Sequence, residues 1–185
     1  MTMMDLVALC KQRNKEFQDN PIIEYYLQIE TENNTPTIPA CKKLIKQYRK
    51  LVRDILFPGR KTITIDSEGN EVIHSWVYDE NLAKHAIYFK EHYCCHSKGK
   101  FAGQPLVLEL WQKAMYAALY GFIDEYTGLR KYRILFLTVG RKNGKSTGAA
   151  SDGLYLQIGD GEPGAEVYSV AKICGDFKLG KIGEG

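Results

Sequence analysis

The stretch Arg133–Thr147, RILFLTVGRKNGKST, decides how the chain is read. Ile134, Leu135, Phe136, Leu137 and Val139 form a short apolar run, the pattern of a strand buried on both faces. A basic, glycine-containing loop follows at once: Gly140, Arg141, Lys142, Asn143, Gly144 and Lys145. Ser146 and Thr147 then open a segment that reads as helix. Strand, glycine loop, Gly-Lys-Ser and helix is the layout of a phosphate-binding loop.

The residue types follow from what such a loop must do. It turns backbone N–H groups toward an anion, and glycine permits this because it tolerates positive φ and has no side chain to collide. The helix that follows offers unpaired N–H groups and the positive end of its dipole. Lys145 is placed to reach β- and γ-phosphate oxygens, and the Ser146 hydroxyl to complete the coordination of Mg²⁺, with ATP as the expected nucleotide. The usual spacing is GxxxxGK[ST]. Here three residues separate Gly140 from Gly144, and Val139 stands where the first glycine is expected.

This variant loop, GRKNGKST, resembles the Walker A motif of phage terminase large subunits, the ATP-driven motors that package DNA. Two flanking stretches share the resemblance: HSKGKFAGQPLVLELWQKAMYAALYGFIDEYTGLRKYR upstream and GLYLQIGDGEPGAEVYSVA downstream, together about His92 to Ala171. A looser likeness reaches back to about Trp76. The resemblance implies an ATP-hydrolysing motor with a P-loop parallel sheet of the ASCE type. It makes Arg141 a candidate for stabilising charge on the γ-phosphoryl group, and Lys142 a residue facing solvent. It also makes Gln112, beside Trp111, a candidate for reading adenine through its amide; the helical spacing alone reads Trp111 as a core residue. The partners it implies are double-stranded phage DNA, the portal protein and the small terminase subunit. It further implies a ring oligomer in the host cytoplasm, transiently on the procapsid, with no membrane involved.

Around this centre the composition is that of an ordinary globular protein. The 185 residues are 44% hydrophobic and 25% charged, with a net charge of +3 that permits contact with nucleic acid without arguing for it. The five cysteines, an odd number without regular spacing, make no disulfide framework and point to a reducing compartment. Cys94 and Cys95 lie between His92 and His96, but no CxxC pair or second ligand cluster accompanies them to make a zinc site.

Residues 1–100 read as a mainly helical N-terminal subdomain, 101–171 as the beginning of a P-loop domain, and 172–185 as an atypical tail. Helical spacing marks 3–17; Asn20-Pro21 breaks it, and 22–29 reads as a second short helix. Residues 40–57 form the clearest helix of the first half. Leu44, Tyr48, Leu51, Val52 and Ile55 line one stripe, and six lysines and arginines occupy the rest. That basic face serves either nucleic acid or an acidic partner, or is a solvated surface, which is the simpler reading. Residues 61–75 read as a hairpin turning at DSEGN. A helix capped by Asp79 is expected to about 95, with Leu82, Ala86, Phe89 and Tyr93 on its inner side. Pro105 is expected in the first turn of a helix running to about 122, with Leu108, Trp111, Gln112, Met115 and Leu119 sharing a face. Beyond the loop, helix is expected to Gly159 and a second parallel strand over 165–170.

An ATPase also needs an apolar strand ending in Asp, with an adjacent Glu to activate water. Nothing after Ser169 offers that pattern, and the paired carboxylates of a nuclease domain are missing too. The lysine- and glycine-rich tail departs from the family after about Ala171. The expectation is therefore α/β: a helical N-terminal subdomain followed by the start of an incomplete parallel sheet, in a truncated or frameshifted chain with uncertain independent turnover. A non-catalytic nucleic-acid-binding module remains open as an alternative. A small kinase would need an acceptor pocket that is not read here.

Overall fold

The computed structural model describes residues 3–13, 20–30, 36–97, 100–140, 142–161, 165–173 and 176–181. It is mixed α/β and divides into two compact units, each built from two stretches of chain. One holds Met1–Ile87 and Leu108–Leu135; the other holds Tyr88–Val107 and Phe136–Gly185. Among the described residues no helix is long and apolar enough to cross a membrane.

The first unit begins with α1 (Met3–Gln12) and α2 (Pro21–Ile29). Asn20 caps α2: its Oδ1 accepts from the N–H of Ile22 at 3.0 Å and of Ile23 at 3.4 Å, and Pro21 takes the first-turn position where no N–H is needed. α3 (Lys42–Leu56) buries Tyr48, Leu51, Val52 and Ile55, while Leu44 stays partly exposed near its start. These side chains join Leu6, Val7, Cys10, Ile22, Ile23, Tyr26 and Ile29 in one core, closed by Ala114, Ala117 and Phe122.

α5 (Leu110–Gly121) starts five residues later than Pro105 would place it. The reason is a reciprocal contact at its first turn, where the Glu109 N–H donates to Gln112 Oε1 at 2.9 Å. Its buried face is Ala114, Tyr116, Ala117 and Tyr120, offset from the Trp111–Met115–Leu119 stripe that the apolar spacing suggests. In α4 (Glu80–Tyr93) the expected stripe holds at Ala86 and Phe89 and departs at its two ends. Ala83, Ala86, Phe89 and Lys90 are buried, whereas Leu82 and Tyr93 are exposed. Alanines mark the inward face because they let neighbouring elements approach closely.

A three-stranded antiparallel sheet of order β1–β2–β3 completes this unit: β1 (Arg60–Ile65), β2 (Glu71–Tyr78) and β3 (Phe122–Asp124). The β1–β2 turn is built by Asp66, whose Oδ1 accepts from the N–H of Glu68 at 2.9 Å and of Asn70 at 2.8 Å. One face of the sheet carries a polar network centred on the buried Asp124. Its carboxylate accepts from the Ser75 N–H at 3.0 Å and the Thr127 hydroxyl at 2.9 Å, and pairs with His74 Nδ1 at 2.9 Å. His74 Nε2 in turn meets the Thr64 hydroxyl at 2.8 Å, and Trp76 Nε1 donates to Thr62 at 2.7 Å, so all three strands are joined.

The expected parallel strand–helix–strand unit is not formed. Residues 132–140 make no ladder, and Ile134 and Phe136 are 88% and 91% exposed. Of the segment expected to lie parallel to them, 165–170, the last three residues fall in β4 (Tyr168–Ile173), which pairs antiparallel with β5 (Asp176–Lys181). The register sets Ile173 opposite Asp176, leaving two residues for the connection, Cys174 and Gly175, which lie outside the described residues. Antiparallel pairing closes over a connection that short, whereas a parallel partner needs a crossover of a dozen residues or more. Residues 176–181 of the atypical tail form the second strand of this pair.

Burial drives the Asp124 carboxyl up, but the hydrogen bonds from His74, the Ser75 N–H, Thr127 and the Tyr126 N–H outweigh it. They hold its pKa at about 2, against an ordinary 3.8. The folded pKa is the lower one, so the stabilisation is complete above pH 3.8 and is lost as pH falls toward 2. Urea unfolding of Asp124→Asn should show lower stability than wild type at neutral pH and a flatter dependence through that acid window. A wild-type-like acid limb in the variant would contradict this account.

Candidate functional site

The residues singled out around the phosphate loop fall in the second unit, and most of them are exposed. α6 (Lys145–Leu154) begins where the motif places it, with Gly144 as the residue before its first turn. Gly144 has φ 71°, a left-handed backbone that glycine adopts without a Cβ penalty. Lys142 has φ 69° and lacks that freedom. Asn143 bridges the loop, its Nδ2 donating to the Gly140 carbonyl at 3.3 Å. Arg141 lies outside the described residues, so its expected role on the γ-phosphoryl group has no geometry here.

The first helical hydrogen bond of α6 runs from the Gly148 N–H to the Gly144 carbonyl at 2.7 Å. In an α-helix that leaves the preceding N–H groups without helical acceptors. Lys145 and Ser146 are exposed and Thr147 is half-buried at this end, and Gly140–Thr147 contains no carboxylate. These residue types fit an anion: backbone N–H groups, one ammonium and two hydroxyls belong to the first turn, at the positive end of a helix. The helix does not stop at Leu154 but widens into a single π turn, Tyr155–Gly159.

Gln112 belongs to the first unit and is half-buried on α5. Its carbonyl oxygen is taken by the Glu109 N–H, which leaves the amide NH₂ as the group with donors to offer a base.

The first unit holds a further feature that the sequence only hinted at. The basic side of α3 borders a groove of about 630 Å³, where Lys42, Lys46, Arg49, Lys50, Arg53 and Arg60 outnumber the two carboxylates, Glu30 and Asp54. Arg49 is paired with Glu30 in a two-pronged contact, and Asp54 binds Lys131 at 2.8 Å. Lys42, Lys46 and Lys50 have no carboxylate partner among the described residues. The helical repeat of cations was visible in the sequence. The concavity was not, because it depends on Glu30 and Arg60 arriving from other elements.

No known protein family, curated protein or solved structure matches this chain.

The backbone at the loop yields a paired test. Lys142→Gly should stabilise the second unit by about 1 kcal/mol by relieving the left-handed strain, and Gly144→Ala should destabilise it by about 1–2 kcal/mol. Amide exchange of the α6 backbone reads both. Effects of the same sign in the two variants would show that the loop does not hold these angles in solution.

Proposed function

We propose that this chain is the ATP-binding N-terminal part of a phage terminase large subunit. In that reading it belongs to the motor that hydrolyses ATP to drive double-stranded DNA into a procapsid. The observation that carries the reading is GRKNGKST opening a helix behind a left-handed Gly144, with no carboxylate within the motif itself. Lys145 binds the β- and γ-phosphates, the Ser146 hydroxyl serves Mg²⁺, and backbone N–H groups of Gly144–Thr147 hold oxygen atoms of the nucleotide. Bound Mg²⁺ supplies charge neutralisation on the phosphates. Arg141 contacts the γ-phosphate.

In the same reading Ile134–Val139 is the strand that leads into the loop, and its exposed apolar side chains become covered when further strands of a parallel P-loop sheet pair with it. The Asp and Glu that complete hydrolysis are not among the residues assigned here, so this chain binds ATP more readily than it turns it over. The portal protein, the small subunit and a ring of copies are the partners of the whole motor.

Titration of a fluorescent ATP analogue with Mg²⁺ tests the phosphate loop. Lys145→Ala should weaken binding by about tenfold or more, the loss of one charge-assisted contact worth ~1.5–3 kcal/mol. Equal affinity in the two proteins, or no binding while both are folded by circular dichroism, would remove the nucleotide reading.

The groove on α3 supports a second reading, a nucleic-acid-binding module without ATPase activity. Cations at 42, 46, 49, 50 and 53 repeat along about 16 Å of helix, a length suited to several phosphates in a row. If this reading holds, duplex affinity falls steeply with salt, with a log–log slope of about −0.9 per phosphate contacted. Lys46→Glu with Lys50→Glu should flatten that slope and Lys145→Ala should leave it alone. A slope indifferent to the two glutamates would argue against the groove.

A further inference from the structure

α6 is held chiefly at its C-terminal half. Ser151, Gly153 and the following Tyr155 are buried, whereas Lys145, Ser146, Ala149, Ala150 and Leu154 are exposed. Within the second unit the fastening comes from the last turn of α4. The Lys90 side chain has no solvent exposure, and its Nζ donates to Asp152 Oδ1 at 2.5 Å. The same ammonium lies 5.4 Å from the centroid of the Tyr155 ring, against which Phe89 packs edge-on at 5.4 Å. A Cβ at Gly159 would meet the Tyr155 ring at 2.7 Å and the Phe89 ring at 3.0 Å, so the π turn closes on these rings only with glycine there.

Burial of an ammonium is costly. Desolvation pushes the pKa of Lys90 down and Asp152 restores part of it. Packing alone does not call for such a pair, since apolar residues of similar volume often serve as well. What an ion pair adds is direction. Asp152 stands seven residues after Lys145, and at 3.6 residues per turn the two lie within about 20° of one helix stripe, ~10.5 Å apart along the axis. Fixing the azimuth of Asp152 therefore fixes the direction of Lys145 and of the N–H groups beside it.

We propose that Lys90 is a positioning residue for the phosphate loop: through Asp152 it sets the rotation of α6, so that affinity for a triphosphate depends on a side chain two helical turns away. This inference rests on the phosphate-loop reading above.

The decisive variant is the double replacement Lys90→Met with Asp152→Leu in the full chain, which keeps volume and removes direction. It is compared with wild type and Lys145→Ala for MgATP binding by calorimetry. The double variant should melt within a few degrees of wild type, bind MgATP about tenfold more weakly, and show faster amide exchange over Gly148–Asp152 without nucleotide. Wild-type affinity in the double variant, alongside loss in Lys145→Ala, overturns this inference alone, and so does unchanged exchange over Gly148–Asp152. Absence of MgATP binding by the folded wild type, or equal binding by Lys145→Ala, overturns the phosphate-loop reading and this inference with it.

Discussion

The carboxylate of Asp124 is the point on which the sheet of the first unit depends. The β1–β2 hairpin presents Ile63, Ile65 and Ile73 to solvent, more than half exposed, so apolar burial does little to hold it. Its polar face does the holding. Asp124 reaches His74 and the Ser75 N–H on β2, His74 reaches Thr64 on β1, and Trp76 lies stacked on His74 at 5.0 Å with its N–H on Thr62. Each buried donor or acceptor in that chain would be expensive to leave unmade. The fully buried member is the one with the most partners, and the sheet is organised outward from it.

Two other buried carboxylate–ammonium contacts extend the same logic, one in each unit. Asp54 on α3 binds Lys131, whose ammonium also sits within 6 Å of the Trp76, Phe122 and Tyr132 rings. Asp152 on α6 binds Lys90 of α4. Each joins segments more than sixty positions apart in sequence, 54 with 131 and 90 with 152. Such pairs contribute little net stability after desolvation but punish wrong arrangements strongly, because breaking one leaves a buried charge alone. They specify which elements meet, in a chain whose helices are individually short.

How much of this was legible depended on how local the signal was. Asn20-Pro21, the DSEGN turn and Asp79 act within four residues of themselves, and the elements they punctuate form where the sequence places them. The basic stripe of α3 was equally plain. The inner face of α4 was legible at Ala86 and Phe89 but not at its ends, and that of α5 was not, because the largest apolar side chains drew the stripes to Leu82 and Trp111. Lys90 continues the Ala83–Ala86 spacing at helical intervals, so a signal existed. Its charge hid it, and its partner lies too far along the chain to be paired by inspection. The run at 134–139 has the composition of a buried strand, but composition cannot supply the neighbours that turn an extended segment into a strand. At the loop itself the motif located Gly144 and the start of α6. The left-handed backbone at Lys142 was invisible to it.

That last angle has a consequence for how the loop behaves. A lysine held at φ 69° sits about 1–2 kcal/mol above its relaxed conformation, a factor of roughly 5–30 in a population ratio. The resting loop is in this sense cocked. Any anion whose grip lets Lys142 return to negative φ recovers that energy as affinity, and one that demands the present shape does not. In the phosphate-loop reading proposed above, conformation and selectivity at this position are a single quantity, set by one backbone dihedral.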